Sequence, residues 1–526
     1  MNKPALLVRL SLTDYCRNGV NLLVLAVVPG TFVIVASDTM ARAATALGGD
    51  GTAAATITAG WAAGFVAAIG MYFLIAGNRA TDRRLILSGL RRREFTAARM
   101  VSGLVIAVAA AAIALSALSV RTGVDRPWRT LAGTLMFAVI YAAIGAVAGV
   151  SFRDPVNGTV AILFTWIVDV FFGPAFTGSA PSFARLLPTH FLSLWMTALP
   201  SGHGDARQHL GWALAWTLSA FTLAAWLLGA STRQARIRRH PLAEQRRFTS
   251  PTVARQRIGE APTPKVAAPS SAHGPYRTTL QFGVRQELRN RVLWLLLVAV
   301  PAVFVLMSAA ITPARRVVLN ILDGDRDRAF VVDLSRLHAG TMAPDGVAAL
   351  AMLAGMFVVI ASARADRRLL QAGMLRSAVR MARMATVALA SVSATVASLL
   401  ITVLVFDAAN WTLYALANVL IALTFAALGV LLGPVTGRVA GVLLAFLIPF
   451  IDLGLGQSPM LREQPAGWAH VLPGYGGMRL MLDAALTPSF SDWPALTIAL
   501  AWMIALSFIA AHTMLPARAQ RAVPVH

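Results

Sequence analysis

The sequence predicts an all-α polytopic membrane protein of twelve transmembrane helices, built as two parallel six-helix repeats with both termini cytoplasmic. Three observations carry that prediction: the composition, the spacing of the apolar runs, and an internal duplication. Of 526 residues, 57% are hydrophobic and only 13% charged, with a mean hydropathy of +0.67. A soluble domain usually carries about 25% charged residues. No single soluble core could bury so much apolar side chain, so lipid must be the solvent for most of it.

A membrane helix needs about 20 residues with few charges. Such runs fall at 20–37, 52–77, 100–120, 130–152, 155–176 and 210–232, then again at 292–311, 346–363, 384–406, 411–433, 439–456 and 494–515. The first run is too long for the apolar core of a signal peptide, and no clean cleavage pattern follows it. With the N-terminus cytoplasmic and one crossing per run, the cytoplasmic segments hold 33 Lys+Arg and 8 Asp+Glu, and the external segments 13 of each. This is a positive-inside asymmetry. It accounts for the net charge of +23 through topology and attraction to anionic lipid, without nucleic acid as a partner.

The two sets of six runs are related. Residues 17–33 align without gaps on 289–305 with nine identities, including Arg17/Arg289, Asn18/Asn290, Pro29/Pro301 and Phe32/Phe304. Residues 82–100 align on 366–384, again with nine identities. Residues 155–161 echo 434–440. An even number of spans per copy gives both copies the same orientation. The chain therefore divides into residues 1–232, a first six-span half, 233–277, an Arg/Pro-rich cytoplasmic linker, and 278–526, a second six-span half. The first external loop of the second half is twelve residues longer and carries Asp323, Asp325, Arg326, Asp327 and Arg328. The interleaved arginines favour a solvated loop over a cation site.

Before each first span lies a short amphipathic stretch, with Leu6, Leu7 and Leu10 in one copy and Leu280, Val284 and Leu288 in the other. Such a stretch suits a helix in the cytoplasmic interface, the plain alternative being a charged flank. After each second span comes the closest internal match. Asp82, Arg83, Arg84, Gly89, Arg92 and Arg99 recur as Asp366, Arg367, Arg368, Gly373, Arg376 and Arg383. An orientation-setting loop needs arginines but not a repeated Asp and Gly, so the segment reads as a rigid handle offered to a soluble cytoplasmic partner. Between the fifth and sixth spans both external segments are rich in large apolar residues and contain Leu-Pro, at Leu187-Pro188 and Leu472-Pro473. A helix dipping into the outer leaflet would bury them.

Asp169 and Asp452 fall inside the fifth spans. Intramembrane carboxylates are functional candidates, here either lining a translocation path or paired structurally near the outer ends of their helices. His190 and His203 read as lone external histidines, and the Asn157-Gly158-Thr159 glycosylation pattern falls on the cytoplasmic side. The single cysteine, Cys16, excludes internal disulfides and makes a metal site improbable. Neither lysine, Lys3 or Lys265, sits in a phosphate-binding loop, and no catalytic motif is present. The chain reads as no enzyme.

The order of elements resembles the type-2 family of ABC exporter permeases. It has an interfacial lead-in helix, a basic segment after the second span, and a Gly-rich fourth span. A Phe152-Arg153-Asp154-Pro155 turn enters the fifth, and an apolar external segment precedes the sixth. In the second half that turn is reduced to Gly433-Pro434. The resemblance implies a bacterial plasma-membrane permease in which one chain forms the whole transmembrane unit. Two cytoplasmic P-loop ATPase subunits would dock beneath it, with ATP and Mg bound on those partners and no cofactor on this chain. The duplicated arginine segments would transmit ATPase closure, driving alternating access for a hydrophobic drug or antibiotic, lipid or peptide. The alternative is a proton-coupled transporter of the major facilitator type, whose loop after the second span carries G-x-x-x-D-R-x-G-R-R. Here Gly77 is displaced by one position from Asp82-Arg83, and the following Gly is absent in both copies.

Overall fold

The computed structural model describes residues 3–152, 155–176, 182–237, 273–288, 291–323, 326–460, 464–465 and 467–514. The N-terminal half runs α1 (Lys3–Arg17), α2 (Gly19–Ala46), α3 (Gly51–Ala76), α4 (Arg79–Leu87), α5 (Arg92–Arg121), α6 (Pro127–Ser151), α7 (Pro155–Phe171), α8 (His190–Thr197) and α9 (Ala206–Ile237). The C-terminal half begins with α10 (His273–Leu288), α11 (Arg291–Pro301), a π-helical turn (Ala302–Leu306) and α12 (Met307–Ile311). It continues through β1 (Arg316–Asp323), β2 (Arg326–Asp333), α13 (Leu334–Gln371), α14 (Arg376–Thr402), α15 (Trp411–Pro449), α16 (Tyr475–Leu486) and α17 (Trp493–Thr513).

The protein is an all-α polytopic membrane protein. Ten helices among the described residues are long and apolar enough to cross a bilayer, and two shorter apolar helices, Asn157–Phe171 and Gly441–Gly456, fall where the remaining runs were predicted. The second spans are the centre of each half, with 89% of α3's most apolar stretch and 78% of α13's buried, whereas α9 and α17, at 22% each, form the rim. Composition explains this layering. α3 is small-residue rich, and the fourth spans meet the second spans backbone to backbone: Gly145 of α6 sits on the Ala68 carbonyl, and Gly429 of α15 on the Met352 carbonyl. A methyl group at either glycine would collide with that carbonyl.

Helix starts follow ordinary capping chemistry. Asp50 accepts from Ala53 N at 2.9 Å, Asn410 from Leu413 N at 3.0 Å and Asp333 from Arg336 N at 3.1 Å. The interfacial stretches are both helical: α1 packs on α5, and α10 on α14. Residues 238–272 of the predicted linker lie outside the described residues, as do Arg153, Asp154, Arg289 and Asn290.

Three features differ from the sequence reading. First, α15 is helical on both sides of the predicted Gly433-Pro434 junction, with no loop between its two spans. A straight helix of that length would span about 58 Å. Instead Tyr414 Oη donates to the Gly340 carbonyl at 2.6 Å, Gly433 and Gly441 both abut Met356, and Gly454 approaches Asp345. The chain therefore reverses between Gly433 and Gly441, beside the helix-breaking Pro434, and its two arms lie along α13.

Second, α13 carries its charged cluster on one continuous helix, whereas in the N-terminal half Gly77 and Asn78 separate α3 from α4. Third, the long loop with the Asp/Arg cluster is an antiparallel β-hairpin pairing Arg316 with Asp333 and Asp323 with Arg326. Its sequence signal was a β-branched and aromatic run on each side of Asp323-Gly324.

Candidate translocation seam and arginine-rich platforms

The two halves meet along a seam made by α2 and α7 on one side and by the π-helical turn Ala302–Leu306, α12 and the second arm of α15 on the other. Phe32 stacks on Phe450 across it, ring centroids 6.5 Å apart, and Phe32 also meets Trp166 edge-on at 5.8 Å. At the end away from the arginine clusters, Arg315 donates to the Ala46 carbonyl at 2.9 Å, a second tie between the halves.

Three cavities follow this seam in file. A vestibule of about 1080 Å³ opens at the arginine-poor end, with Arg42, Asp50, Asp125 and Arg315 at its wall. Ala46 and Met460 separate it from an enclosed cavity of about 60 Å³ lined by Met40, Met307, Met342, His338 and Asp345. Ile167, Phe171, Phe304 and Phe450 in turn divide that space from a wholly apolar cavity of about 50 Å³ beside Phe65, Trp166 and Leu443. The four dividing side chains come from both halves, so any movement between the halves must rearrange them.

Asp169 and Asp452 occupy matching places just outside this file. Asp169 accepts from Tyr141 Oη and from Thr189 Oγ1, each at 2.7 Å. Asp452 accepts from Gln457 and from Gly474 N, the latter at 2.9 Å. Thr189 and Gly474 each follow the Leu-Pro pair, so both carboxylates tie the outer end of a fifth span to the apolar segment before the sixth. Neither is among the residues lining the seam cavities. Those apolar segments form the short helices α8 and α16, largely buried within the fold.

The repeated Asp-Arg segments form two like platforms at the opposite end. Arg99 donates to Asp82, and Arg383 grips Asp366 through Nε at 3.0 Å and Nη2 at 2.7 Å; all four side chains are buried. These pairs also reach the lead-in helices. Arg99 donates to Ser11 of α1 at 3.0 Å, and Gly283 of α10 packs against Arg383. Gly89 and Gly373 adopt φ of +101° and +87°, where a side chain is strained. Each ends a helix in a Schellman turn, with Leu90 N donating to Leu85 O and Met374 N to Leu369 O. The recurring Asp and Gly thus have a role inside the fold.

Arg83, Arg84, Arg367, Arg368 and Arg376 remain exposed. Arg92 is half-buried and donates to the Gly229 carbonyl of α9, and Arg79 caps the end of α6 through the Gly149 and Phe152 carbonyls.

Sequence reasoning missed Asp345 and His338 because both precede the predicted second span of that half, whereas α13 begins earlier and carries both inside it. It also misjudged His190 and His203. They lie with Nε2 atoms 3.4 Å apart and His209 alongside, brought together by α8 and the following loop. The first two rings stack at 21°, so their in-plane lone pairs do not converge on one ion. No metal-holding group of three or more such side chains occurs among the described residues.

The chain was compared with known protein families. The family described as ABC-2 family transporter protein fits residues 35–229, from the first span to the sixth of the N-terminal half. Over that segment the chain is similar to ABC-2 family transporter proteins. No curated protein matches it. The segment lies within a chain whose described residues hold ten helices long and apolar enough to cross a bilayer. The matched segment includes α4, Gly89, Arg99 and Asp169.

Proposed function

We propose that this chain is the complete transmembrane unit of an ATP-driven exporter, with two fused six-span halves around the seam and separate P-loop ATPase subunits beneath the two arginine-rich platforms. In this reading the platforms face the cytoplasm and the vestibule faces outside across a bacterial plasma membrane, an orientation supported by the positive-inside asymmetry of the sequence. The observation that carries the reading is the pairing of two like platforms with one closed file of cavities. Each platform joins a lead-in helix, the turn after a second span and the start of a third span through a buried Asp–Arg pair.

ATP binding on the partners draws the platforms together. The buried pairs and Schellman turns keep each platform rigid, so the motion passes into the second and third spans rather than being lost in the loops. The second span is packed carbonyl-to-glycine on the fourth, and the fourth leads directly into the fifth, which contributes Phe171 or Phe450 to the barrier. Alternate opening above and below that barrier moves an apolar or amphipathic substrate outward.

The test is purification from native membranes in mild detergent, with co-purifying proteins identified by mass spectrometry. A stoichiometric P-loop ATPase whose hydrolysis is stimulated by the chain is the expected result. Reproducible recovery of the intact chain alone, with transport driven by a proton gradient, overturns it in favour of a secondary transporter.

A further inference from the structure

Asp345 is the buried acid in the seam that the proposed mechanism does not use. It is 2% exposed, lines the 60 Å³ cavity, and neither carboxylate oxygen has a hydrogen-bond partner among the described residues. Asp169 and Asp452, at similar burial, are held by two partners each. An unpaired buried carboxylate is expensive and in a transmembrane segment marks a functional site.

Its surroundings define what would satisfy it. The neighbouring titratable group is Asp452, a second acid, and a methyl group added at Gly454 would crowd Oδ1 at 3.2 Å. The basic-capable side chain on the same wall, His338, is paired with Thr312 at 2.7 Å. No Arg or Lys lines this cavity. Apart from Ser308 and Ser458 the remaining wall is apolar, with four methionines among it and Phe171, Phe304 and Phe450 presenting aromatic surface. A site of one carboxylate, thioethers and aromatic rings attracts a cation with an apolar body.

The acid also breaks the likeness of the halves. Ala68 and Met352 lie under Gly145 and Gly429 in the same way, 284 residues apart. By that register Asp345 stands where the N-terminal half has the buried Trp61. The carboxylate is therefore not required by the packing of a second span.

We propose that Asp345 receives the positively charged head of an amphipathic organic cation, so that the transported class is ammonium-bearing. This deepens the proposed function and rests on the seam being the transport route. The cavity has room for an ammonium head, about two water volumes. The apolar body extends past Ala46 and Met460 into the vestibule.

The experiment is calorimetric titration of the full chain, purified in detergent, with 4-phenylbutylammonium and with its neutral counterpart 4-phenylbutanol. The expected result is saturable amine binding at least about tenfold tighter than the alcohol. Asp345→Asn abolishes that preference and leaves alcohol binding unchanged, and Asp345→Glu keeps most of it. Equal binding of amine and alcohol by the unaltered chain, an unchanged preference in Asp345→Asn, or binding of neither probe overturns the proposal. So does saturable Ag⁺ binding without amine preference, which would make the methionines a soft-metal site. Should Asp345→Asn aggregate on size exclusion, the unaltered chain and Asp345→Glu still decide. The binding assay needs no ATPase, so its failure is separable from failure of the exporter reading, which co-purification tests.

Discussion

Phe32 and Phe450 stack across the seam with ring planes 14° apart, one residue from each half of the chain. Phe450 is also one of the four side chains separating the upper cavity from the lower one. The ring contact that joins the halves is therefore continuous with the barrier across the path.

Opening that barrier is measurable with a thiol. Cys16 is the sole cysteine and is exposed, so Cys16→Ser gives a silent background. In that background a Leu447→Cys thiol, on the wall of the lower cavity, should react slowly with an impermeant maleimide added from the vestibule side. Adding Phe450→Ala should raise the rate several-fold. An unchanged rate would mean that Phe450 does not close the route.

The buried pairs predict an asymmetric mutational response. Asp82→Asn leaves Arg99 buried without its carboxylate and should cost about 3–5 kcal/mol. Asp82→Asn combined with Arg99→Leu should recover most of that loss, because the uncompensated charge has gone. Thermal unfolding of the purified variants reads both effects, and Asp366 with Arg383 should behave alike. A double variant no better than the single one would show that the pair contributes through packing rather than charge.

Coupling should reside in the exposed arginines. Arg84→Glu together with Arg368→Glu alters the outer faces of both platforms while leaving the Asp–Arg pairs intact. Transport per ATP hydrolysed should fall by about tenfold or more with little change in thermal stability. Reversal at Arg92 is a poorer probe, since its tie to Gly229 breaks at the same time. Unchanged coupling in the Arg84/Arg368 variant would remove the docking role of these faces.

The external histidines give a pH dependence of known sign. Burial, then the nearby His203 and Arg185, push His190 down to about 4. An unfolded chain restores it to about 6.5. The fold thus favours neutral His190: the contribution is fully present above about pH 6.5 and is lost as pH falls toward 4. His203 is shifted downward too, by burial and by Arg185. The unfolding temperature should be level from pH 8 to 7 and fall below that, with a shallower fall in His190→Gln. Identical slopes would assign the acid sensitivity to other groups.

Much of the site was legible in the chain itself. The arginine segments were found because Asp, Arg and Gly recur at fixed spacing, and Asp169 and Asp452 because a carboxylate is conspicuous in an apolar run. Asp345 was not found, since beside Pro344 and Gly346 it reads as the flank of a span; only the length of α13 places it inside. His190 and His203 are thirteen residues apart in sequence, and nothing in that spacing says that α8 and the following loop fold one against the other.

By itself the sequence determined the solvent, the class of fold and the elements. Hydrophobic runs of bilayer length must be helical, because lipid leaves no other way to satisfy the backbone. Charge asymmetry sets their predicted orientation for a similarly local reason. The tertiary structure decided where the halves meet, which acids are satisfied and which is not, and that α15 turns back on itself at Pro434. Those depend on contacts between residues hundreds of positions apart, such as Phe32 with Phe450, and no local preference of the chain encodes which distant surface will arrive.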